Sequence, residues 1–370
     1  MKTASLRGNR DFFRLVLLAV VTLVAVVAAI IVVANDSSSV RTSFVPHPLF
    51  EGLADNLDQV ERIVYTASQG LSGETKIVML RDEKGIWRSE ARGGYPLNVD
   101  LVRKALLGVG EMEAYEPRTA SPDWHRNLGL LAPEDIGSAI RVEFFDATEN
   151  RVAALLVGKI PERAVDVKGE GLIYVRRDGE DQAWLARGRM PVFKTIMEWL
   201  DPAFVDIARD DVARVVLWAD TERPVILSRA SRSDTDFVIE NIPENYITRG
   251  APVVNQAATS LLNTAFDDVV PADTLDLPED GPKVVVETFD GLRLSMLMGG
   301  HSGALWGKFT VELDETLAGE GADLEKGRAD ADRLSARLDG WVYKLPQETG
   351  GQVTQTMDVL IHAGGQHLPD

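Results

Sequence analysis

Two stretches set the strongest limit on what this chain can fold into. "VERIVYTAS" (Val60 to Ser68) and "VARVVLWAD" (Val212 to Asp220) carry one rhythm of apolar and polar residues. The segments downstream of each recur in the same order. "GIWRSEARGGYPLN" (Gly85 to Asn98) is answered by "DFVIENIPENYITRG" (Asp236 to Gly250). The helix-period segment behind Asn98 is answered by Val254 to Phe266. "AIRVEFFDATENRVAALLVGK" (Ala139 to Lys159) is answered by "PKVVVETFDGLRLSMLMGG" (Pro282 to Gly300), with Glu-x-Phe-Asp shared at Glu143 to Asp146 and Glu287 to Asp290. Order kept across four elements predicts two tandem copies of one strand-rich α+β unit with mainly antiparallel sheets, each of ordinary domain size.

Local patterns fill in the unit. Alternation from Val60 to Val64 predicts a half-buried strand, and Lys76 to Leu80 and Gly85 to Arg88 predict two more around the polar "DEKG" turn. Leu101, Ala105, Leu106, Val109 and Met112 recur every three to four residues behind Asn98, which predicts an amphipathic helix with an asparagine cap. Gly171 to Ala186 predicts a hairpin broken at Asp178 and Gly179. In the second copy, Leu317 to Leu338 reads as a charged helical insertion before the strand Trp341 to Pro346, and Gln352 to Ile361 as a closing helix.

Ahead of both copies stands "LVLLAVVTLVAVVAAIIVVA" (Leu15 to Ala34), a run without a charge, long enough to cross a bilayer core of about 30 Å as a helix. Lys2, Arg7, Arg10 and Arg14 precede it, against the single acid Asp11, so the N-terminus is expected to stay cytoplasmic. A cleaved signal peptide is the rival reading, with Val32 and Ala34 before a cut at Asn35, but the run exceeds the usual secretory core of about 7 to 15 residues. The chain thus divides into a cytoplasmic segment 1–14, a span 15–34, a tether 35–47, a first repeat 48–204 and a second repeat 205–370 with its insertion at 317–338. The expected location is the inner membrane, single-pass, with the bulk of the chain periplasmic.

No cysteine is present, so the exported part has to be held by apolar burial alone. Beyond residue 34 it carries 35 basic against 56 acidic residues, a net of −21, which argues against nucleic acid as a partner.

The order of "PLFEGLADNLDQVERI" (Pro48 to Ile63), "GYPLN", "EMEAYEPRTASPDWHRNLGL" (Glu111 to Leu130), "LLVGK", "YVRR", "WLD" (Trp199 to Asp201) and "GWVYKLP" (Gly340 to Pro346) resembles the family catalogued as domain of unknown function 4340, over nearly the whole exported part. The resemblance implies a membrane-tethered envelope protein. Many members are encoded beside ABC-type export systems of the gliding-motility kind, which implies an accessory role beside permease or ATPase subunits. It assigns no catalytic residue.

The residues nominate none either. Gly300, Ser302 and Ala304 approach a nucleophile elbow, but "LWGKFTVEL" behind them reads as a strand where the elbow needs a helix. Gly303, Gly307 and Lys308 fall one short of a phosphate loop, with Phe309 in place of the Ser or Thr that holds magnesium. His47, His125, His301, His362 and His367 lack metal-ligand spacing. The tryptophans at 87, 124, 184, 199, 218, 306 and 341 read as core fillers before stacking platforms, and the 317–338 insertion as a solvated helix before a docking element. The sequence therefore predicts no catalytic, cofactor or metal residue. It points to a non-enzymatic accessory or scaffold of an envelope ABC-type transport assembly, with a lipid- or glycan-binding protein second and an exported hydrolase third.

Overall fold

The computed structural model describes residues 44–364 apart from 163, 167, 202, 263 and 320, together with Thr22. Apart from Thr22, the expected span at 15–34 lies outside the described residues, as does most of the tether and the tail beyond 364. Among the described residues no helix is long and apolar enough to cross a membrane.

The fold is α+β, built on two large antiparallel sheets. The first contains β1 (Val60–Ser68), β2 (Glu74–Arg81), β3 (Trp87–Ser89), β4 (Glu113–Pro117), β5 (Ile140–Asp146), β6 (Arg151–Val157), β7 (Leu172–Arg177) and β8 (Ala183–Arg187), with helix α1 (Val99–Gly110) between β3 and β4. The second contains β9 (Val212–Ala219), β10 (Val225–Ser228), β11 (Val238–Ile239), β12 (Asp268–Pro271), β13 (Lys283–Thr288), β14 (Leu292–His301), β15 (Ala304–Leu313) and β16 (Trp341–Lys344). Helix α2 (Ala251–Thr259) lies between β11 and β12, and α3 (Leu324–Leu338) between β15 and β16. Strand order is β4-β8-β7-β6-β5-β1-β2-β3 in the first sheet and β12-β16-β15-β14-β13-β9-β10-β11 in the second, which is the same order. Very short strands extend the first sheet at both edges, His47–Pro48 beyond β4 and Tyr95–Pro96 beyond β3.

Local chemistry explains the element ends. The Asn98 side chain accepts from the amides of Asp100 and Leu101, so α1 starts where the sequence predicts. Helix α2 begins earlier and ends sooner than the expected Val254 to Phe266: Gly250, at φ 114°, turns the chain into it, and Pro252 fits a first turn whose amides have no helical partner. The expected closing helix is two short helices, Gln347–Val353 and Met357–Leu360, followed by a strand Ile361–Ala363 that pairs with Tyr246–Thr248. The fold opens ahead of the expected Pro48, because Phe44 and His47 already pack on Trp184, with ring centroids at 5.4 and 5.6 Å.

The inner faces of both sheets, with α1, α2 and α3, enclose one continuous apolar core. Helix α3 buries Gly327, Ala331, Leu334 and Leu338 along one stripe, so the apolar face of the insertion is used within the chain. The halves meet where Tyr95 of the first packs against Phe266, Trp341 and Tyr343 of the second, centroids at 5.7, 5.0 and 6.2 Å. Arg92 Nε reaches Asp268 Oδ1 at 2.6 Å beside this contact. The backbone approaches so closely at Gly93 (φ 60°) that a Cβ there would lie 2.3 Å from Pro271 Cγ.

The shared Glu-x-Phe-Asp motif does not occupy equivalent places. Glu143 pairs with Val64 on β1, whereas Glu287 pairs with Arg214 on β9, and it is Val285 that pairs with Val216. The second copy of the motif is thus displaced by two positions along its strand. A slip of two keeps every side chain on its own face, so the alternation in the sequence is blind to it.

Candidate interaction site on the open face of the second sheet

The outer faces of the two sheets differ. On the first, the connection from β4 to β5, residues 118–139, passes over the sheet on the side away from α1. Leu130, Ala132 and Ala139 pack there on Leu156 and Ala183, forming a second small core. Pro133–Asp135 lies against β1, and Glu134 pairs with Arg141. Strand β1, predicted half-buried, is therefore buried on both faces at its centre: Val64 is 5% and Thr66 2% exposed.

The corresponding connection from β12 to β13, residues 272–282, is half as long. It must cross the same four strand spacings, about 19 Å, and has little length left to spread over the sheet. It stays at one end, where Leu277 and Pro278 approach Gly299 closely enough that a Cβ there would lie 2.8 Å from Leu277 Cδ2. The rest of the outer face is a shallow concavity of about 550 Å³ floored by Val216, Ile226, Val285, Ser295 and Leu297 and rimmed by charges.

Those charges are largely paired with each other. Glu287, buried at 4% exposure, receives Arg214 Nη1 at 3.2 Å and Arg293 Nη2 at 2.8 Å. The hydrogen bond to Glu287 holds the Arg293 guanidinium still more firmly protonated than usual. Lys283 Nζ lies 3.0 Å from Asp220 Oδ2. In the first sheet the position of Glu287 is taken by Phe145, over whose ring Arg62 stacks at 3.7 Å. The arginine at this position thus stacks on an aromatic ring in the first sheet, where it also pairs with Glu149, and meets a buried carboxylate in the second. A face of this kind offers apolar seats inside a frame of oriented charges, which suits a polypeptide or other amphipathic surface.

A second concavity, about 630 Å³, lies between the end of α1 and residues 168–171 and 187–189. Its central cation, Arg187, is held by Glu113, Asp166 and Glu170 at 2.8, 3.0 and 2.8 Å, so its charge is already balanced within the chain. A third, about 310 Å³, opens between the halves at Asn98, Asp201 and Arg337, and the Asp201–Arg337 pair at 2.9 Å crosses it.

The positions weighed from sequence fall elsewhere. Ser302 and Gly303 form the tight turn of the β14–β15 hairpin, both at positive φ (49° and 76°), the geometry of a type I′ turn. Ser302 is exposed there, at a strand connection. Gly307 and Lys308 lie within β15. His125 is buried with Nε2 2.9 Å from the Asp181 carbonyl oxygen, His362 lies in the short C-terminal strand, and His367 falls outside the described residues. Among the described residues no group of three or more His, Asp or Glu is placed to hold a metal ion. Trp87, Trp199 and Trp306 are buried and Trp184, Trp218 and Trp341 pack on the core, while Trp124 is 59% exposed. The open face escaped sequence reasoning because its apolar residues belong to alternating strands whose outer side looks like any solvated one. The signal was the length of the β12–β13 connection.

Comparison with curated proteins and with solved structures found no match. Residues 87–283, more than half of the chain, match the family described as Domain of unknown function (DUF4340), and the matched region takes strands from both sheets. The chain belongs to that family.

Proposed function

We propose that this protein is a membrane-anchored, periplasmic, non-enzymatic accessory or scaffold of an envelope ABC-type transport assembly, and that a polypeptide partner covers the open face of its second sheet. The observation that carries the docking role is the contrast between the two outer faces: one is closed by residues 118–139 of its own chain, and the other is left open by the shorter connection 272–282. The apolar run Leu15 to Ala34 supports the anchor, and the family resemblance supports the transporter association. We also infer that the two sheets descend from a duplicated unit. Their common strand order supports this, as does the recurrence of sequence segments in register with it.

The test is co-purification of the full-length protein from membranes in mild detergent, with a span-deleted form as control and mass spectrometry of proteins and lipids together. Stoichiometric permease or ATPase subunits with the full-length form are the expected result. A lipid or glycan without protein partners would replace the scaffold by a ligand-binding role.

A further inference from the structure

Residues 118–139 show, within this chain, what closes a face of this kind. In the first sheet Leu156 stands opposite Arg141; Leu130 and Ala132 pack on Leu156, and Glu134 pairs with Arg141. In the second sheet Leu297 stands opposite Lys283, at the same place in the strand order. The open face therefore has the same apolar seat beside the same kind of cation. It differs at the next position on that face, where the first sheet has Glu143 and the second has Val285, and this widens the apolar floor. Among the described residues the ammonium of Lys283 pairs with Asp220, whose side chain is 72% exposed, a pair weak enough for an incoming carboxylate to compete with.

We propose that the open face binds an acidic segment of a partner polypeptide, with an apolar side chain on Leu297 and Val285 and a carboxylate on Lys283, as Leu130 to Glu134 close the first sheet. The proposal rests on the scaffold reading and names the chemistry of what the scaffold holds. Its probe is a labelled peptide with the sequence of residues 125–139, titrated against the full-length protein in detergent. Saturable binding is expected. Leu297→Asp, which places a carboxylate on the apolar seat that Leu156 provides in the first sheet, is expected to weaken it at least tenfold. Peptide carrying Glu134→Lys is expected to bind about tenfold more weakly to the unaltered protein and to recover on Lys283→Glu protein. Lys283 is at the surface, so this exchange remains informative where Leu297→Asp disturbs folding, and a thermal melt of each variant separates the two effects.

Absence of saturable binding, or binding that the charge exchange does not restore, overturns the proposal. If transporter subunits co-purify while the peptide fails, the chemistry of the occupant is wrong and the scaffold reading stands. If the peptide behaves as expected and no subunit co-purifies, the docking surface stands and the transporter assignment falls.

Discussion

The two sheets share one strand order and differ in what their connections do. In the first, the β4–β5 connection, 118–139, forms a lid over the outer face, and β7 to β8 is a short link, 178–182. In the second, the corresponding connection 272–282 is short, and the length lies between β15 and β16, where residues 314–340 carry α3 onto the inner side. The first sheet thus has its inner face in the common core and the middle of its outer face under a lid from its own half of the chain. The second is reinforced at the core and left open outside. A common scaffold can be given a buried or an available face by moving a loop from one connection to another, without altering the strands.

The sharpest way to break this comparison is to make the same deletion at equivalent positions. Leu156 is fully buried beneath the lid, and Leu297, its counterpart, is only half-buried on the open face. Leu156→Ala should cost roughly 2–5 kcal/mol, the usual range for a fully buried leucine, and Leu297→Ala less than about 1 kcal/mol. Denaturant unfolding of the two variants measures the difference. Equal losses would mean that the second outer face is covered after all.

The aspartates of the shared motif make a second pair. Asp146 caps the β5–β6 turn, accepting from the amides of Thr148 and Asn150. Asp290 is 1% exposed and anchors α3: its carboxylate takes Arg232, Lys326 Nζ at 3.2 Å and the Asp323 amide at 2.9 Å. Burial pushes the Asp290 carboxyl up, but Arg232, the Asp323 amide and Lys326 together hold it below the usual aspartate value. Asp290→Asn should therefore cost about 2 kcal/mol at neutral pH, less than for a wholly buried pair, because Arg232 and Lys326 are 40% and 42% exposed. Since the folded pKa is depressed, this stabilisation is complete above the ordinary value near 4 and disappears as pH falls through the lower folded value. Melting temperatures of variant and parent should converge only below about pH 4. Asp146→Asn should cost less and leave α3 in place, which hydrogen exchange across 324–338 would show.

These cases show how far the sequence could be read. Most of the strands, α1 and the helical character of α3 follow from periodicity and punctuation, since each depends on residues near one another in the chain, although α3 starts at Leu324 and not at the expected Leu317. The strand order common to both sheets was legible only as recurrence. The register slip of Glu287 was not, because a shift of two leaves the alternation unchanged. Burial of β1 on both faces was hidden as well: Thr66 and Arg141 look solvated until the lid from 118–139 is laid across them. The open face needed both facts, a known sheet order and a connection too short to cover it.

The smallest expected effects lie in the β14–β15 hairpin, where the first sheet has the long connection 158–171 and the second has only Ser302 and Gly303. Both turn residues have positive φ, which costs a side chain more than it costs glycine. Gly303→Ala should lose about 1 kcal/mol, because alanine at φ 76° is strained even with open space around its Cβ. Ser302→Gly should gain a few tenths of a kcal/mol by relieving the same strain one residue earlier. Thermal melts of the two variants test this directly, and they also separate a turn from a nucleophile. A serine held for chemistry would show its loss in hydrolysis of an activated ester, whereas a serine held only by hairpin geometry can be replaced by glycine with a slightly higher melting temperature and no change in turnover.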